Sequence, residues 1–244
     1  MNFFPVEGNP AIVSDVGIIL PTYCEAANIQ KLINALESLD LNISILVIDD
    51  SSPDGTANIV RSLQEKHENL LLLVRPKKSG LGTAITDGFR TFLSLEHFPK
   101  CIITMDADFS HNPEDIARLV SALDSKFDLV IGSRYSPRGK TVDWSIIRKA
   151  ISKTANLIAS LWVKARIHDY TSGLRCYSTN LVRSILGDLH STTYEIQIET
   201  IRQAHLRKFK IREIPITFTN RKKGKSKLSA NEIKQFISYI LVKI

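Results

Sequence analysis

The chain has 244 residues, 43% of them hydrophobic, which is enough to bury a full core and excludes a disordered chain. Its formal charge of +7 favours anionic partners, whether nucleic acid, a membrane surface or a phosphorylated small molecule. Three scattered cysteines, Cys24, Cys101 and Cys176, fit neither a disulfide framework nor a clustered zinc site and read as reduced thiols of a cytosolic protein.

The opening stretch MNFFPVEGNPAIVSDVGIIL lacks a basic start and is interrupted by Glu7, Pro10 and Asp15, so it does not read as a secretory signal. No run approaches the roughly 18 apolar residues that a membrane-spanning helix requires. From there, short β-rich runs alternate with helical patterns. Strands are predicted at Val16–Leu20, Ile43–Ile48, Leu70–Val74, Cys101–Met105 and Leu129–Gly132, and helices at Ala26–Leu39, Thr56–His67, Gly82–Leu95 and Pro113–Ser125. This alternation implies an α/β fold with a mostly parallel sheet covered on both faces. Ligands of such sheets bind beyond the carboxyl ends of the strands. Those ends carry PTYCE, DDSSPDGT, RPKKSGLGTA, DADFSHNPED and SRYSPRGK, so one site would be assembled from five loops.

Residues i and i+2 of a strand share a face, so Asp106 and Asp108 can point at one spot while Ala107 points away. That arrangement suits a metal. Gly80, Gly82 and Gly88 do not complete a dinucleotide fingerprint, because Ile85 takes the third glycine position, and no phosphate-binding P-loop pattern occurs. A diphosphate bridged by Mg²⁺ or Mn²⁺ fits the acids better. The run SPDGT, Ser52–Thr56, has the composition of a turn and a structural role.

Taken in order, PTYCEAAN, VIDDSSPDGT, GLGTA, MDADFSHNPED, GSRY, DYTSGLRCY and FTNRKKGKSKL resemble the family-two glycosyltransferases of the GT-A type, and most closely the dolichol-phosphate mannosyltransferases. The resemblance spans about Val16 to Phe236. It implies a single glycosyltransferase domain over 1–244, with a nucleotide-sugar-binding half at about 16–135 and an acceptor-binding half at about 136–244. It also implies GDP-mannose as donor, a polyprenyl or dolichyl phosphate as acceptor, a divalent ion, and inversion at the anomeric carbon. Carried over by residue, it assigns the nucleotide pocket to Pro21, Tyr23, Glu25, Ile48, Asp50 and Ala107, and the metal to Asp106 and Asp108 with Ser110 beside them. Ser110 stands where some members have glutamine, and Cys24 where members commonly have asparagine. Arg134, Arg221 and Lys227 match phosphate-binding positions, and Arg148 and Ser172 match the acceptor phosphate. Asp108 and the four cations Arg134, Arg148, Arg221 and Lys227 are the residues expected to carry catalysis; Arg175 and His168 are left without a role.

In the second half, Ile146, Ile147, Ala150, Ile151, Thr154, Leu157, Ile158, Leu161 and Trp162 form a helical stripe flanked by Arg148, Lys149, Lys153, Lys164 and Arg166. A second stripe runs through Ile233, Phe236, Ile237, Ile240, Leu241 and Ile244. Each stripe fits a membrane interface as well as a protein core. The expectation is a peripheral protein on the cytoplasmic face of a membrane, with room for a membrane-anchoring partner subunit. A nucleic-acid-binding module would account for the charge but leaves the strand-end carboxylates unexplained, and a related transferase with another donor or a hydroxyl acceptor keeps the same donor site.

Overall fold

The computed structural model of the chain describes residues 5–124 and 126–220. Arg221, Lys227 and the second apolar stripe lie outside them. Ten strands and seven α-helices are formed by the described residues: β1 Val6–Glu7, β2 Val16–Thr22, α1 Ile29–Glu37, β3 Ile43–Asp49, α2 Thr56–Gln64, β4 Leu70–Val74, α3 Leu81–Ser94, β5 Cys101–Thr104, α4 Asp115–Ala122, β6 Leu129–Ser133, β7 Lys140–Val142, α5 Ile146–Val163, β8 Arg175–Ser178, α6 Thr179–Ile185, α7 Ile196–Leu206, β9 Ile211–Pro215 and β10 Thr217–Thr219.

Eight strands make one sheet in the order β1-β4-β3-β2-β5-β8-β6-β9, and β7 and β10 pair separately in parallel. The sheet is mostly parallel, as its continuous apolar strands predict, and only β1 and β8 run against the rest. Alternate residues of each strand feed two cores. Ile18, Ile45, Val47 and Leu72 face α1, α2 and α4 on one side, while Ile19, Leu46, Ile48 and Leu71 meet Phe89 and Phe92 of α3 on the other. Helix α1 shows the same logic at helical spacing, burying Ile29, Leu32, Ile33 and Leu36.

Helix α1 starts three residues later than its apolar pattern predicts, because Glu25–Asn28 form a turn in which the Glu25 carbonyl accepts the Asn28 and Ile29 amides. Strand β8 has no counterpart among the strands predicted from the sequence. Its residues RCYS lack an apolar run, yet Arg175 is wholly buried with its guanidinium spread over the Ser172, Tyr170 and Gln197 carbonyls and the Thr200 hydroxyl.

The position of the crevice is set by where pairing stops. Strand β5 stays in register with β2 only as far as Thr104 opposite Ile19, whereas β2 continues along β3 to Thr22 opposite Asp49. Pro21 falls in this unaccompanied part of β2, where its missing N–H breaks no bond to β5. Beyond Thr104 the chain turns away, and the strand ends open a trough.

The start of α3 closes one wall of that trough. A Cβ on Gly82 would meet the Ser191 carbonyl oxygen at 2.3 Å, and the Gly82 amide donates to Thr192 O at 2.9 Å. Helix propensity would favour alanine here by about 1 kcal/mol, but the obstacle is backbone that cannot swing aside. Gly82→Ala is expected to lose about 1–3 kcal/mol through overpacking, visible as a Tm fall of roughly 2–4 °C per kcal/mol. Gly187→Ala, with nothing within 4 Å of the added carbon, serves as the neutral control.

Candidate functional site

The trough is lined by Pro21, Tyr23, Glu25, Ile48, Asp50 and Ala107 together with Asp106 and Asp108, so it gathers every residue expected in the nucleotide pocket from the described part of the chain, apart from Arg134. The loop after β2 is held by the turn after β3. Ser52 Oγ accepts the Cys24 amide at 2.9 Å, Thr56 Oγ1 the Glu25 amide at 3.0 Å, and Asp54 Oδ2 the Ala26 amide at 3.0 Å. Ser52–Thr56 is therefore a brace for Tyr23 and Glu25, and Gly55 supplies its left-handed residue at φ +85°. Glu25 is buried, with Oε2 accepting from Asn28 Nδ2 at 2.9 Å.

The two acids ending β3 have different tasks. Asp49 is fully buried and accepts from Thr22 Oγ1, Ser52 Oγ and the Ser52 amide at 2.8, 2.6 and 2.8 Å, so it knits the two loops together. Asp50 lines the trough, and its oxygens accept from Arg75 Nε at 2.6 Å and the Ser79 amide at 3.1 Å. Arg75 is itself buried and also reaches Thr83, Asp87 and the Gly80 carbonyl. Its role escapes a reading of the sequence because only the fold brings 75, 50 and 87 together.

At the end of β5, Asp108 is buried and accepts the Ser110 amide on Oδ1 at 3.0 Å, while Asp106 keeps 38% of its side chain exposed. The turn that re-aims them puts Phe109 at φ +60°, and Cys24 and Ser51 occupy the same left-handed region after β2 and β3. Such conformations are uncommon for these residue types and gather at functional sites. Asparagine adopts this region more readily than cysteine, which gives position 24 a backbone requirement.

The donor set is one that Mg²⁺ or Mn²⁺ accepts. It consists of carboxylate oxygens from Asp106 and Asp108, beside a buried Ser110 hydroxyl oxygen that has no hydrogen-bond partner. Among the described residues no group of three or more acids, histidines or cysteines converges for a metal, so a bound ion would draw further oxygens from substrate and water. Next to Ser110, His111 is buried with both ring nitrogens unpartnered, its Nδ1 3.9 Å from Asp106 Oδ2. Burial pushes its imidazole down to about 4. No local pattern around position 111 foretells that this histidine is buried.

A cationic cluster lies near the acids of β5, around Phe218, whose ring meets that of His111 edge-on at 4.9 Å. Arg134 grips Asp169 from Nε and Nη2 at 2.7 Å each, the Arg134 amide adds a 2.9 Å bond, and Nη2 also reaches Thr171 Oγ1 at 2.6 Å. Burial raises the Asp169 carboxyl, but the charge and hydrogen bonds of Arg134 outweigh it and hold the group below its usual range. Trp144 and Phe218 each lie close to two guanidiniums. The Trp144 ring lies 4.1 Å from Arg148 Cζ and 5.4 Å from Arg134 Cζ, and the Phe218 ring 5.8 and 5.6 Å from them. Arg148 Nη1 also donates to Asn220 Oδ1 at 2.7 Å. Ser172 is buried, with its hydroxyl donating to the Gly132 carbonyl at 2.5 Å. His168 is exposed and pairs with Glu213. The Thr219 amide donates to Ser110 O at 3.0 Å, so the last described residues before the basic segment sit beside the acids of β5.

On α5 the apolar stripe faces outward. Ile146, Ile147, Leu157 and Leu161 are 60–85% exposed, while Asn156, Ala159 and Val163 form the packed face.

The profile of glycosyl transferase family 2 matches residues 17–186. The chain belongs to glycosyl transferase family 2. It is 37% identical over 220 residues to a polyprenol monophosphomannose synthase of Mycolicibacterium smegmatis, covering 89% of this chain and 82% of that one. It is 38% identical over 213 residues to an undecaprenyl-phosphate mannosyltransferase of Micrococcus luteus, covering 86% of each. Among solved structures, a glucosyl-3-phosphoglycerate synthase from Mycobacterium tuberculosis superimposes with a TM-score of 0.67 at 16% identity, over 94% of this chain and 80% of that one. A mannosyltransferase from Pyrobaculum calidifontis, solved with GDP-Man and Mn²⁺, does so with a TM-score of 0.61 at 18% identity, over 98% of this chain and 67% of that one. The GT-A fold and a glycosyltransferase activity are thus those of this family.

Breaking a buried ion pair by removing one partner costs about 3–5 kcal/mol, so Asp169→Asn should lose that much in urea unfolding at pH 7. A carboxyl with a lowered folded pKa contributes stability that is present above the unfolded value, near 3.9, and is lost as pH falls through the folded one. The deficit of the variant should therefore be constant from pH 8 to pH 5. A deficit that changes within this window would show a raised pKa, the property a general base requires.

Proposed function

We propose that this chain transfers mannose from GDP-mannose to a polyprenyl phosphate, with inversion at the anomeric carbon, at the cytoplasmic face of a membrane. The observation that carries the reading is a trough lined by carboxylates at the ends of β2, β3 and β5, with the guanidiniums of Arg134 and Arg148 gathered nearby around Phe218, whose ring packs on His111 next to those acids. The relatives named as polyprenyl-phosphate mannosyltransferases support the acceptor, and the GDP-Man-bound neighbour supports the donor.

In this reading Tyr23, Glu25 and Asp50 hold the nucleoside. A divalent ion on Asp106 and Asp108, with Ser110 adjoining, would neutralise the charge that gathers on the departing diphosphate. Arg134 and Arg148, joined by Arg221 and Lys227 from outside the described residues, orient the acceptor phosphate and offset its repulsion from the donor. A phosphate monoester is largely ionised at neutral pH, since its second pKa lies near 6. Its oxygen attacks without surrendering a proton, and no general base is needed. Asp169 suits that scheme, because its oxygens are committed to Arg134 and Thr171. Its part is to position Arg134.

The test is a panel of labelled nucleotide sugars with polyprenyl phosphate, run with Mn²⁺ or Mg²⁺ and with chelator. Mannose from GDP-mannose should enter the lipid fraction, and chelator should stop it. Preferential transfer from UDP-glucose would overturn the donor. Asp106→Asn and Asp108→Asn should each cost more turnover than the roughly 10- to 100-fold lost with an outer-shell partner, with little change in Tm.

The outward face of α5 supplies the membrane contact. No helix among the described residues is long and apolar enough to cross a bilayer. Instead, Ile146, Ile147, Leu157 and Leu161 project from a helix that also exposes Lys149 and Lys153, the combination that lies in the plane of an anionic interface. The chain should float with vesicles containing anionic lipid at low salt, and Leu157→Glu with Leu161→Glu should reduce binding at least about tenfold. Flotation of the chain alone also decides whether an anchoring subunit is needed.

A further inference from the structure

We propose that Lys78 selects the nucleobase, donating from Nζ to the O6 and N7 edge of guanine. This rests on the reading of the trough as a GDP-sugar site and names the residue that makes it prefer guanine.

The trough is laid across the sheet in a fixed direction. The acids that fit a metal end β5, and the strand order from there runs β2, β3, β4. Neighbouring strands are about 4.8 Å apart, so the end of β4 lies about 14 Å from the metal end. A nucleotide with its diphosphate at Asp106 and Asp108 must therefore extend past β2 and β3 and bring its base toward the loop after β4. Lys78 belongs to that loop. Among the described residues lining the trough it is the one cation, and its Nζ stands 4.8 Å from the centroid of the Tyr23 ring.

The base end otherwise offers acceptors. Asp50 and Glu25 are carboxylates, and they complement N1–H and the N2 amino group of guanine. Guanine's opposite edge presents two acceptors, O6 and N7, which only a donor can meet. Uracil has a single ring N–H for the acids and no N7, so a site with acids on one side and an ammonium on the other discriminates between the two.

The loop is built to present the amine. Asp50 accepts the Ser79 amide, Arg75 holds both Asp50 and the Gly80 carbonyl, and a Cβ on Gly80 would collide with Thr192 O at 2.3 Å. The backbone on the C-terminal side of Lys78 is thus fastened to the very carboxylate that reads the other edge, while the lysine itself is exposed on a flexible stem. Its station over Tyr23 is held by an exposed cation–π contact, a weak interaction that a charge-assisted hydrogen bond to a base outweighs.

The experiment is calorimetric binding of GDP, UDP, 7-deaza-GDP, which lacks N7, and 2-aminopurine riboside diphosphate, which lacks O6 and the N1 proton but keeps N7, to wild type and Lys78→Ala in the presence of Mn²⁺. Wild type should prefer GDP and bind both purine analogues more weakly. Lys78→Ala should weaken GDP about 10- to 100-fold, the worth of one charge-assisted bond, weaken each purine analogue less, because each keeps only one of the two acceptors, and leave UDP at its wild-type affinity. Lys78→Arg should recover most of the preference. Equal losses for GDP, UDP and the analogues would place the amine on the diphosphate and overturn the proposal, as would a wild-type preference for GDP that survives Lys78→Ala. A wild-type chain that binds UDP better than GDP overturns the donor reading itself, and the proposal with it.

Discussion

A guanidinium removed from water has to be met by acceptors, because an uncompensated buried charge costs several kcal/mol. Arg75, Arg134 and Arg175 are all buried, and each is met differently. Arg175 is answered by carbonyls and a hydroxyl of the surrounding chain, so its charge is spent on shaping the 170–172 segment and joining β8 to α7. Arg75 has two carboxylates, Asp50 and Asp87, and ties the end of β3 to the start of α3. Arg134 has Asp169, with aromatic rings near it that Arg148 also approaches. The first two arginines fix the frame. The third gathers a cationic cluster near the acids of β5, where the acceptor phosphate is proposed to bind.

Much of the frame was legible in the sequence, because its strands are buried on both faces and read as unbroken apolar runs. Helices α1 to α4 announced themselves by spacing, and the acids of β5 by alternation. What could not be read has a common cause in long-range pairing. Asp49 and Asp50 are adjacent and chemically alike, and only the neighbours brought by folding make one a knot between loops and the other a wall of the trough. The same holds for Arg75, for the burial of His111, and for the approach of Trp144 and Phe218 to two arginines. Strand β8 was hidden because a buried arginine and two polar neighbours look like loop. The left-handed turns at Cys24, Ser51 and Phe109 carry no glycine to betray them.

The α5 stripe shows the opposite limit. Periodicity picked out the face and its residues correctly, but a stripe facing the core and one facing outward have the same pattern. Packing shows that this one faces outward. The face that meets the protein is carried by Asn156, whose Oδ1 takes the Tyr170 amide at 2.6 Å and whose Nδ2 reaches Thr171 Oγ1 at 3.0 Å, the same hydroxyl that Arg134 engages. The helix that turns its leucines outward is thus hydrogen-bonded, through one side chain, to the threonine that Arg134 engages.

The bond from the Thr219 amide to the Ser110 carbonyl anchors the root of the basic segment 221–227 beside the acids of β5. An extended chain advances at most about 3.3–3.6 Å per residue, so Lys227, about eight residues past Thr219, stays within about 29 Å of that anchor in every conformation. If Arg221 and Lys227 act on the substrates as proposed, their contribution is intramolecular and independent of how much protein is in solution.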